Sequence, residues 1–343
     1  MNLYTTDGWL NIKDILNLQA DFIFIVGARG IGKSYGSIKQ LIDSGTVFMY
    51  ARRTAAQAST ASNPLTSDIT KPLRASGKAE TFKTDHLTKT IDGLYMASGE
   101  EISEKPFAYV TSISTGSNLR GFNGDAIEVI LFDEFIAQPE EKPIREEANA
   151  FLNLYETVNR NREILGRKAV KVLCLANSFN LANPMFIKLG LVEDAEKMRA
   201  KNREVYLDKA RGVAIIQPLG SPISVEKQNT ALYKLVGAKS DFAQMAIGNA
   251  YLDDFSDNIK SQNLAEYKAL VKAAEICIYK HKSKQIYYVS LHTSGAPADV
   301  YGDSKHDRQA YKRKYLYLWQ AFLSKRVYFE SYLTQVLFDT LYI

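Results

Sequence analysis

An unbroken apolar run, Phe22-Ile23-Phe24-Ile25-Val26, leads directly into Gly27-Ala28-Arg29-Gly30-Ile31-Gly32-Lys33-Ser34. Strand, glycine-rich loop and helix start follow one another in the order a phosphate-binding loop requires, which commits this part of the chain to an α/β layer architecture. Glycines let the backbone N–H groups of such a loop converge on the β- and γ-phosphates of a nucleoside triphosphate, and the following helix adds partial positive charge at its N-terminus. The nucleotide is expected against Gly27, Ala28, Arg29, Gly30, Ile31, Gly32, Lys33, Ser34 and Tyr35, with Lys33 reaching the phosphates and Ser34 ligating Mg²⁺. A chance glycine-rich turn would not carry every fixed position of the motif behind a buried-type strand.

At 343 residues the chain exceeds the usual size of one domain, so one large and one smaller domain are expected. Its 46% hydrophobic and 24% charged residues are those of a globular protein, and no stretch of eighteen apolar residues occurs, so no membrane partner is expected. The opening residues Met1 to Asp7 lack the basic start and apolar region of a secretory signal. Cys174 and Cys277 each lie in an apolar, strand-like run, which points to buried thiols in a reducing cytoplasm and away from a disulfide or metal site.

The formal net charge is +5, and from Ser256 onward 13 Lys and Arg face 8 Asp and Glu, so the surplus belongs to the C-terminal third. In Tyr311-Lys312-Arg313-Lys314-Tyr315-Leu316-Tyr317-Leu318-Trp319 basic residues interleave with aromatics, making Lys312, Arg313 and Lys314 candidates for nucleic-acid contact. An amphipathic helix with an aromatic core face and solvated lysines fits the same segment equally well.

The patterning predicts a helix over Ser34–Ser44 closed by Gly45, then a strand at Thr46–Tyr50, a βαβ start to a largely parallel sheet. Residues Thr54 to Ala79 read as loop or short helices, and Asp92-Gly93 as a hairpin turn. Further strands are expected at Phe107–Ile113, Val129–Phe132, Val170–Leu175 and Val213–Gln217, with a helix over Glu146–Glu163. Gly220-Ser221-Pro222 reads as the end of the α/β domain, giving domains over 1–220 and 256–343 joined by a helical linker over 221–255. In the last of these a helix is expected around Ala265–Ala274, strands at Glu275–Tyr279 and Gln285–Leu291, and helices after Asp307.

Hydrolysis needs an acidic station beside the loop, and Val129-Ile130-Leu131-Phe132-Asp133-Glu134 supplies a core strand ending in two carboxylates. Asp133 is expected to hold the metal and Glu134 to orient or deprotonate the attacking water. A second core strand ends in Asn177 and Ser178, which can sense the γ-phosphate from a strand's carboxyl end or simply form a turn. Arg29, Arg52, Arg53, Arg120, Arg160 and Arg162 are available to complete the site. An arginine at the end of the 146–163 helix could reach a neighbouring subunit's γ-phosphate or merely favour the local helix dipole.

Together these residues resemble the DNA-packaging ATPases of small tailed phages of the phi29 type. The resemblance rests on the loop Phe24 to Tyr35, on Phe132-Asp133-Glu134-Phe135-Ile136, on Leu152 to Glu163, and on Cys174 to Ser178 with Asn183-Pro184. It implies a P-loop ASCE-type ATPase domain with a mostly parallel central sheet, plus a smaller C-terminal α+β domain resembling an RNase H-like nuclease fold. It further implies an ATP- and Mg²⁺-dependent, terminase-like motor that drives double-stranded DNA through a portal into a procapsid. The motor would act as a ring, pentameric in the family, in the host cytoplasm and transiently at the portal vertex, with a structural packaging RNA as a possible partner. By position Arg160 is implied as the trans-acting finger, Arg120 as a second basic residue at the subunit boundary with Arg162 as the other candidate, and Asn177 and Ser178 as the coupling segment. The carboxylates Asp299, Asp303 and Asp307 lie in one polar stretch and read as solvated surface, so no nuclease activity is expected. A helicase or remodeller acting on single strands, and a nucleotide-gated assembly module with negligible turnover, are the alternative readings.

Overall fold

The computed structural model describes residues 2–118, 122–137, 141, 144, 146–177, 183–223, 226, 229–236 and 258–342. By compactness the chain divides into two units, Met1–Leu189 with Lys197–Leu252, and Gly190–Glu196 with Asp253–Ile343. The stretch expected as a helical linker, 221–255, falls largely outside the described residues.

In the first unit, helix α1 (Ile12–Leu16) precedes β1 (Phe22–Val26), and α2 (Lys33–Ser44) leads to β2 (Phe48–Arg52). Next come α3 (Ala55–Ser62), α4 (Thr70–Ala75), β3 (Thr81–His86), β4 (Asp92–Ser98), β5 (Glu101–Ile102) and β6 (Ala108–Ser112). A 3-10 turn at Ile113–Asn118 is followed by β7 (Val129–Asp133), α5 (Glu147–Asn159), β8 (Lys171–Ala176) and α6 (Pro184–Leu189); α7 (Val192–Ala200) begins in the Gly190–Glu196 stretch of the second unit and ends in the first. Strands β9 (Val205–Asp208) and β10 (Val213–Ile216), then α8 (Ala231–Val236), complete the series.

These strands form one sheet in the order β3-β4-β6-β2-β7-β8-β1-β10-β9, with β5 paired to β4. From β6 through β2, β7, β8 and β1 to β10 every neighbour is parallel, and antiparallel pairing is confined to the two edges. The central strands are buried on both faces, which is why they read as continuous apolar runs. Ile23, Ile25, Leu131, Leu173 and Leu175 meet Ile38, Leu41 and Ile42 of α2 in one core. Phe24 packs edge-on against Phe135 and Phe186, and Phe132 stacks on Phe151 of α5 at 5.3 Å.

The predicted strands appear as β2, β6, β7, β8 and β10, and the Ala- and Ser-rich stretch folds as α3 and α4, the former started by a Thr54–Gln57 capping box. Three expectations are corrected. Asp92-Gly93 is the start of β4 and not a turn; the hairpin turns at residues 87–91, where Leu87 and Thr88 N–H groups donate to the Ile91 carbonyl. The 146–163 helix ends at Asn159, because Arg160 takes φ 47 and ψ −132, which no helix continues. The helix expected over Ala265–Ala274 is instead a strand over Tyr267–Ala273, preceded by a 3-10 turn at Leu264–Glu266.

In the second unit β11 (Tyr267–Ala273), β12 (Ile276–His281) and β13 (Tyr287–Ser290) form an antiparallel meander. β14 (Asp299–Tyr301) adds parallel to β11, and β15 (Val327–Phe329) parallel to β13. Tyr267, Ala269, Val271 and Ala273 are buried with period two, so the alternation overrides the helix preference of the alanines. Helices α9 (Lys305–Leu323) and α10 (Tyr332–Thr340) cover one face, where Tyr311, Tyr315, Leu318, Phe322 and Phe338 join Val271, Ile278 and Val289 in one core. Both cysteines are buried free thiols, and no helix of the described residues is long and apolar enough to cross a membrane.

Candidate active site

Helix α2 begins at Lys33 because Gly32 takes φ +91 and Gly30 φ +71, left-handed conformations that turn the loop backbone inward and that side chains resist. The first residues of the chain lie along this loop. Leu10 N–H donates to the Ile31 carbonyl at 3.1 Å, and a Cβ built on Gly32 would stand 3.1 Å from the Trp9 ring. Trp9 and Tyr35, 44% and 46% exposed, help wall a cavity of about 1140 Å³ that also meets Thr5, Asp7, Arg29, Gly30, Lys33, Ser34, Lys39, Asp133, Glu134 and Asn177. That volume accommodates a nucleotide.

The parallel sheet delivers the acids to this cavity from the carboxyl end of β7. Ser34 Oγ donates to Asp133 Oδ1 at 3.0 Å, and Tyr50 Oη donates to Asp133 Oδ2 at 2.8 Å. A hydroxyl beside a carboxylate is the hard-oxygen set that suits Mg²⁺, so the residues fit the ion the loop implies. Glu134 has φ 57, and its backbone N–H donates to Asp133 Oδ1 at 3.0 Å. Arg52 Nη2 donates to Glu134 Oε2 at 2.6 Å, while its Nη1 donates to Tyr50 Oη at 2.9 Å. Burial pushes the Glu134 carboxyl above its ordinary pKa, Arg52 pulls it down, and Asp133 adds to the rise. Burial also lifts the Tyr50 hydroxyl well above its usual range, reinforced by Asp133, so it stays a donor.

Lys33 Nζ donates to the carbonyls of Gly27 at 2.8 Å and Ala28 at 2.6 Å, and to Asn177 Oδ1 at 3.1 Å. Asn177 reaches the lysine because Gly27 N–H bonds the Ala176 carbonyl at the end of β8. The loop lysine, the two acids and Asn177 therefore share one cavity.

Arg160 and Arg162 stand apart from it, in the turn after α5. Arg162 is 6% exposed and donates to the carbonyls of Gly124 at 2.8 Å and Asp125 at 3.1 Å; burial lowers its pKa, as does Arg167. Arg160 is exposed and donates to the carbonyls of Phe122 and, at 3.2 Å, Thr157. Arg120 and Ser178 lie outside the described residues. In the second unit Lys314 Nζ bonds both Asp299 oxygens at 2.8 and 2.7 Å, Arg313 is exposed, and the buried Tyr311 and Tyr315 are core, as the amphipathic reading of this helix requires. Sequence reasoning missed Tyr50 and Trp9: one is hidden in an apolar strand, the other lies upstream of the motif. The alternation of Tyr50 with Arg52 along β2 was the available signal for the first.

The sequence profile of the Podovirus DNA encapsidation protein (Gp16) family matches residues 6–310. The chain belongs to this family. Among its relatives, the DNA packaging protein of Bacillus phage B103 is 24% identical over 331 residues, covering 92% of this chain and 94% of that protein. The DNA packaging protein of Bacillus phage phi29 is 29% identical over 250 residues, 71% of this chain and 66% of that protein. The fold is similar to that in the bacteriophage phi29 viral genome packaging motor assembly, with a TM-score of 0.65, 19% identity and 98% of each chain covered. It is also similar to the phi28 gp11 DNA packaging motor, with a TM-score of 0.60, 19% identity, and 96% and 95% coverage.

Proposed function

We propose that this encapsidation protein is an ATP-hydrolysing motor that moves double-stranded DNA through a portal into a procapsid, working as a ring of copies. The observation that carries the reading is the convergence of Lys33, Ser34, Asp133 and Glu134 in one cavity of a family member. One strand, β8, stands between the loop strand β1 and the acid strand β7, consistent with an ASCE-type ATPase.

In this reading the loop amides and Lys33 bind the phosphates, so Lys33 exchanges the Gly27 and Ala28 carbonyls for phosphate oxygens. Ser34 and Asp133 would hold Mg²⁺, which when bound would neutralise charge on the phosphates. Tyr50 and Ser34 fix opposite oxygens of Asp133, so its carboxylate presents a set edge. Glu134 orients or deprotonates the attacking water once it parts from Arg52. Asn177, bonded to Lys33, registers the phosphate that Lys33 holds, and with Ser178 passes its loss onward.

The arginine completing the site comes from a neighbouring copy. Arg160, exposed at the end of α5, takes that role, while Arg162, buried against the Gly124 and Asp125 carbonyls, holds the turn; Arg120 serves as a further basic residue at the boundary. The ring is pentameric and uses a packaging RNA, in the host cytoplasm and at the portal vertex. The second unit is a nuclease-like α+β domain without nuclease activity. Asp299 is engaged by Lys314 and Tyr315, Asp303 by Arg308, and Asp307 by Ser304, which supports a structural use of these carboxylates. Its basic residues, Lys312, Arg313 and Lys314 among them, contact DNA, portal or RNA.

The test is steady-state ATP hydrolysis with and without blunt duplex DNA over a range of protein concentration. Turnover that rises with both, and is abolished by Glu134→Gln, supports a ring motor. Turnover indifferent to DNA in the presence of procapsids refutes it in favour of an assembly module, and strand separation of a forked substrate refutes it in favour of a helicase.

A further inference from the structure

One residue beyond Arg52, the side chain of Arg53 is 0% exposed. Its Nε donates to Glu147 Oε1 at 2.6 Å, its Nη2 to Glu147 Oε2 at 3.2 Å, and its Nη1 to Glu141. Gln57 Nε2 binds the other Glu141 oxygen at 2.9 Å. A buried charge cluster of this kind is weak evidence for stability, since well-packed apolar residues can replace one without loss. A planar fork gripping a carboxylate at two points does what apolar packing does not: it fixes direction as well as distance.

What it fixes is helix α5, since Glu147 is its first residue. The backbone is strained at both ends of this helix: Glu146 before it has φ 54 and ψ 36, and Arg160 after it φ 47 and ψ −132. Strain of this kind persists only where the surroundings over-determine it. Between the two ends α5 is one continuous helix, seated on β7 through the Phe151–Phe132 stack. The Arg53 carbonyl also accepts from Ser114 N–H at 3.0 Å, and at the far end of α5 Arg160 donates to the Phe122 carbonyl.

We propose that Arg53 is a positioning residue for the step between subunits: it locks α5 to the end of β2, and so sets where Arg160 stands relative to the acids of β7. The inference rests on the reading of Arg160 as the trans-acting arginine. Arg53 itself touches neither nucleotide nor water; it acts through Glu147 and the length of α5.

The experiment compares wild type, Arg53→Lys, Arg160→Ala and the double variant in DNA-stimulated ATP hydrolysis on procapsids, with nucleotide affinity measured by titration of a fluorescent ATP analogue. Arg53→Lys keeps the charge and loses the fork. Displacing a catalytic group by about 1 Å can cost on the order of 100-fold, so stimulated kcat should fall by roughly 10- to 100-fold with nucleotide affinity kept within about twofold. In the Arg160→Ala background the same change should cost less than about twofold, because the arginine it positions is gone. A wild-type rate for Arg53→Lys, an equal loss of nucleotide affinity, or a loss that multiplies with that of Arg160→Ala overturns the proposal. If Arg160→Ala alone leaves stimulation intact, the finger reading itself fails, and the silent variant tells the two failures apart. Should Arg53→Lys fold poorly, Arg53→Met with Glu147→Met removes the buried pair together; the same loss of rate is expected, and a wild-type rate overturns the proposal.

Discussion

Replacing Arg52 by glutamine removes the cation that stands 2.6 Å from Glu134 Oε2 while leaving a side chain able to donate a hydrogen bond. Burial already holds the Glu134 carboxyl above its ordinary pKa, and Asp133 pushes in the same direction; Arg52 is the opposing influence. Taking away a neighbouring cation disfavours the ionised carboxylate, so the pKa moves further up. A hydrogen bond to a charged group contributes about 1.5–3 kcal/mol, and the glutamine amide retains part of that contact, so the loss falls at or below the lower end of this range. The Glu134 side chain is 31% exposed, and screening by solvent reduces the effect without changing its direction. On this reading Glu134 must be ionised to serve the water, and its contact with Arg52 belongs to the nucleotide-free enzyme, so the acid limb of the kcat/KM profile should shift upward. Steady-state hydrolysis between about pH 5 and 9 reads this shift independently of the maximal rate, with Arg52→Lys as the charge-preserving control. An acid limb that stays in place or moves down in Arg52→Gln would refute the assignment of Glu134 as the group that handles water.

Gly32→Ala should lose nucleotide affinity and about 1–3 kcal/mol of stability, because φ +91 strains any Cβ and the new methyl group meets Trp9 at 3.1 Å; affinity and melting like the wild type would contradict this. Tyr50→Phe frees Asp133 Oδ2 from its 2.8 Å donor and should raise the Mg²⁺ concentration for half-maximal hydrolysis by about 10-fold or more, measured by metal titration at saturating ATP. Arg162→Ala leaves two carbonyls without their buried partner and should lower stability by about 1–3 kcal/mol in a denaturant titration. Arg160→Ala, at an exposed side chain, should alter stability by less than about 0.5 kcal/mol yet reduce stimulated turnover by roughly 10³.

The elements that carry the site were legible because each has a local cause. The loop's glycines, the buried run before it and the apolar strand ending in Asp133-Glu134 announce themselves by spacing alone, and the sheet then brings Ser34 within 3.0 Å of Asp133. Errors came where two local signals conflict and tertiary context decides. Ala265–Ala274 contains helix-favouring alanines laid over a period of two, and pairing with β12 and β14 selects the strand. Asp92-Gly93 has turn chemistry, yet Asp92 pairs with Val110 and Gly93 with Tyr109 in the sheet. Other features were illegible for a different reason. Trp9 meets Gly32 only through the path of the first ten residues, and the choice between Arg160 and Arg162 depends on which one the 124–125 carbonyls bury, a fact of packing that two arginines two residues apart cannot encode.

The end of β2 draws these threads into one physical account. Side chains alternate along a strand, so Tyr50 and Arg52 share a face and both reach the acids of β7, Tyr50 to Asp133 and Arg52 to Glu134. Arg53, the next residue, faces the other way and reaches Glu147 at the head of α5. Two adjacent arginines on one backbone thus hold opposite sides of the same strand end: one bears on Glu134, proposed to meet the water, the other on the helix that Arg160 follows. Central parallel strands are stiff because their backbone pairs on both sides, and β2 is paired with β6 and β7. A displacement of Arg52 on this stiff element is therefore shared with Arg53 instead of being absorbed locally. The two must also differ in substitution: at Arg52 charge matters most, because the effect is on the ionisation of Glu134, whereas at Arg53 geometry matters most, because the guanidinium fork sets a direction. Lysine should accordingly be tolerated better at position 52 than at position 53, and stimulated turnover of the two lysine variants side by side, with the reverse order counting against the account, measures that difference directly.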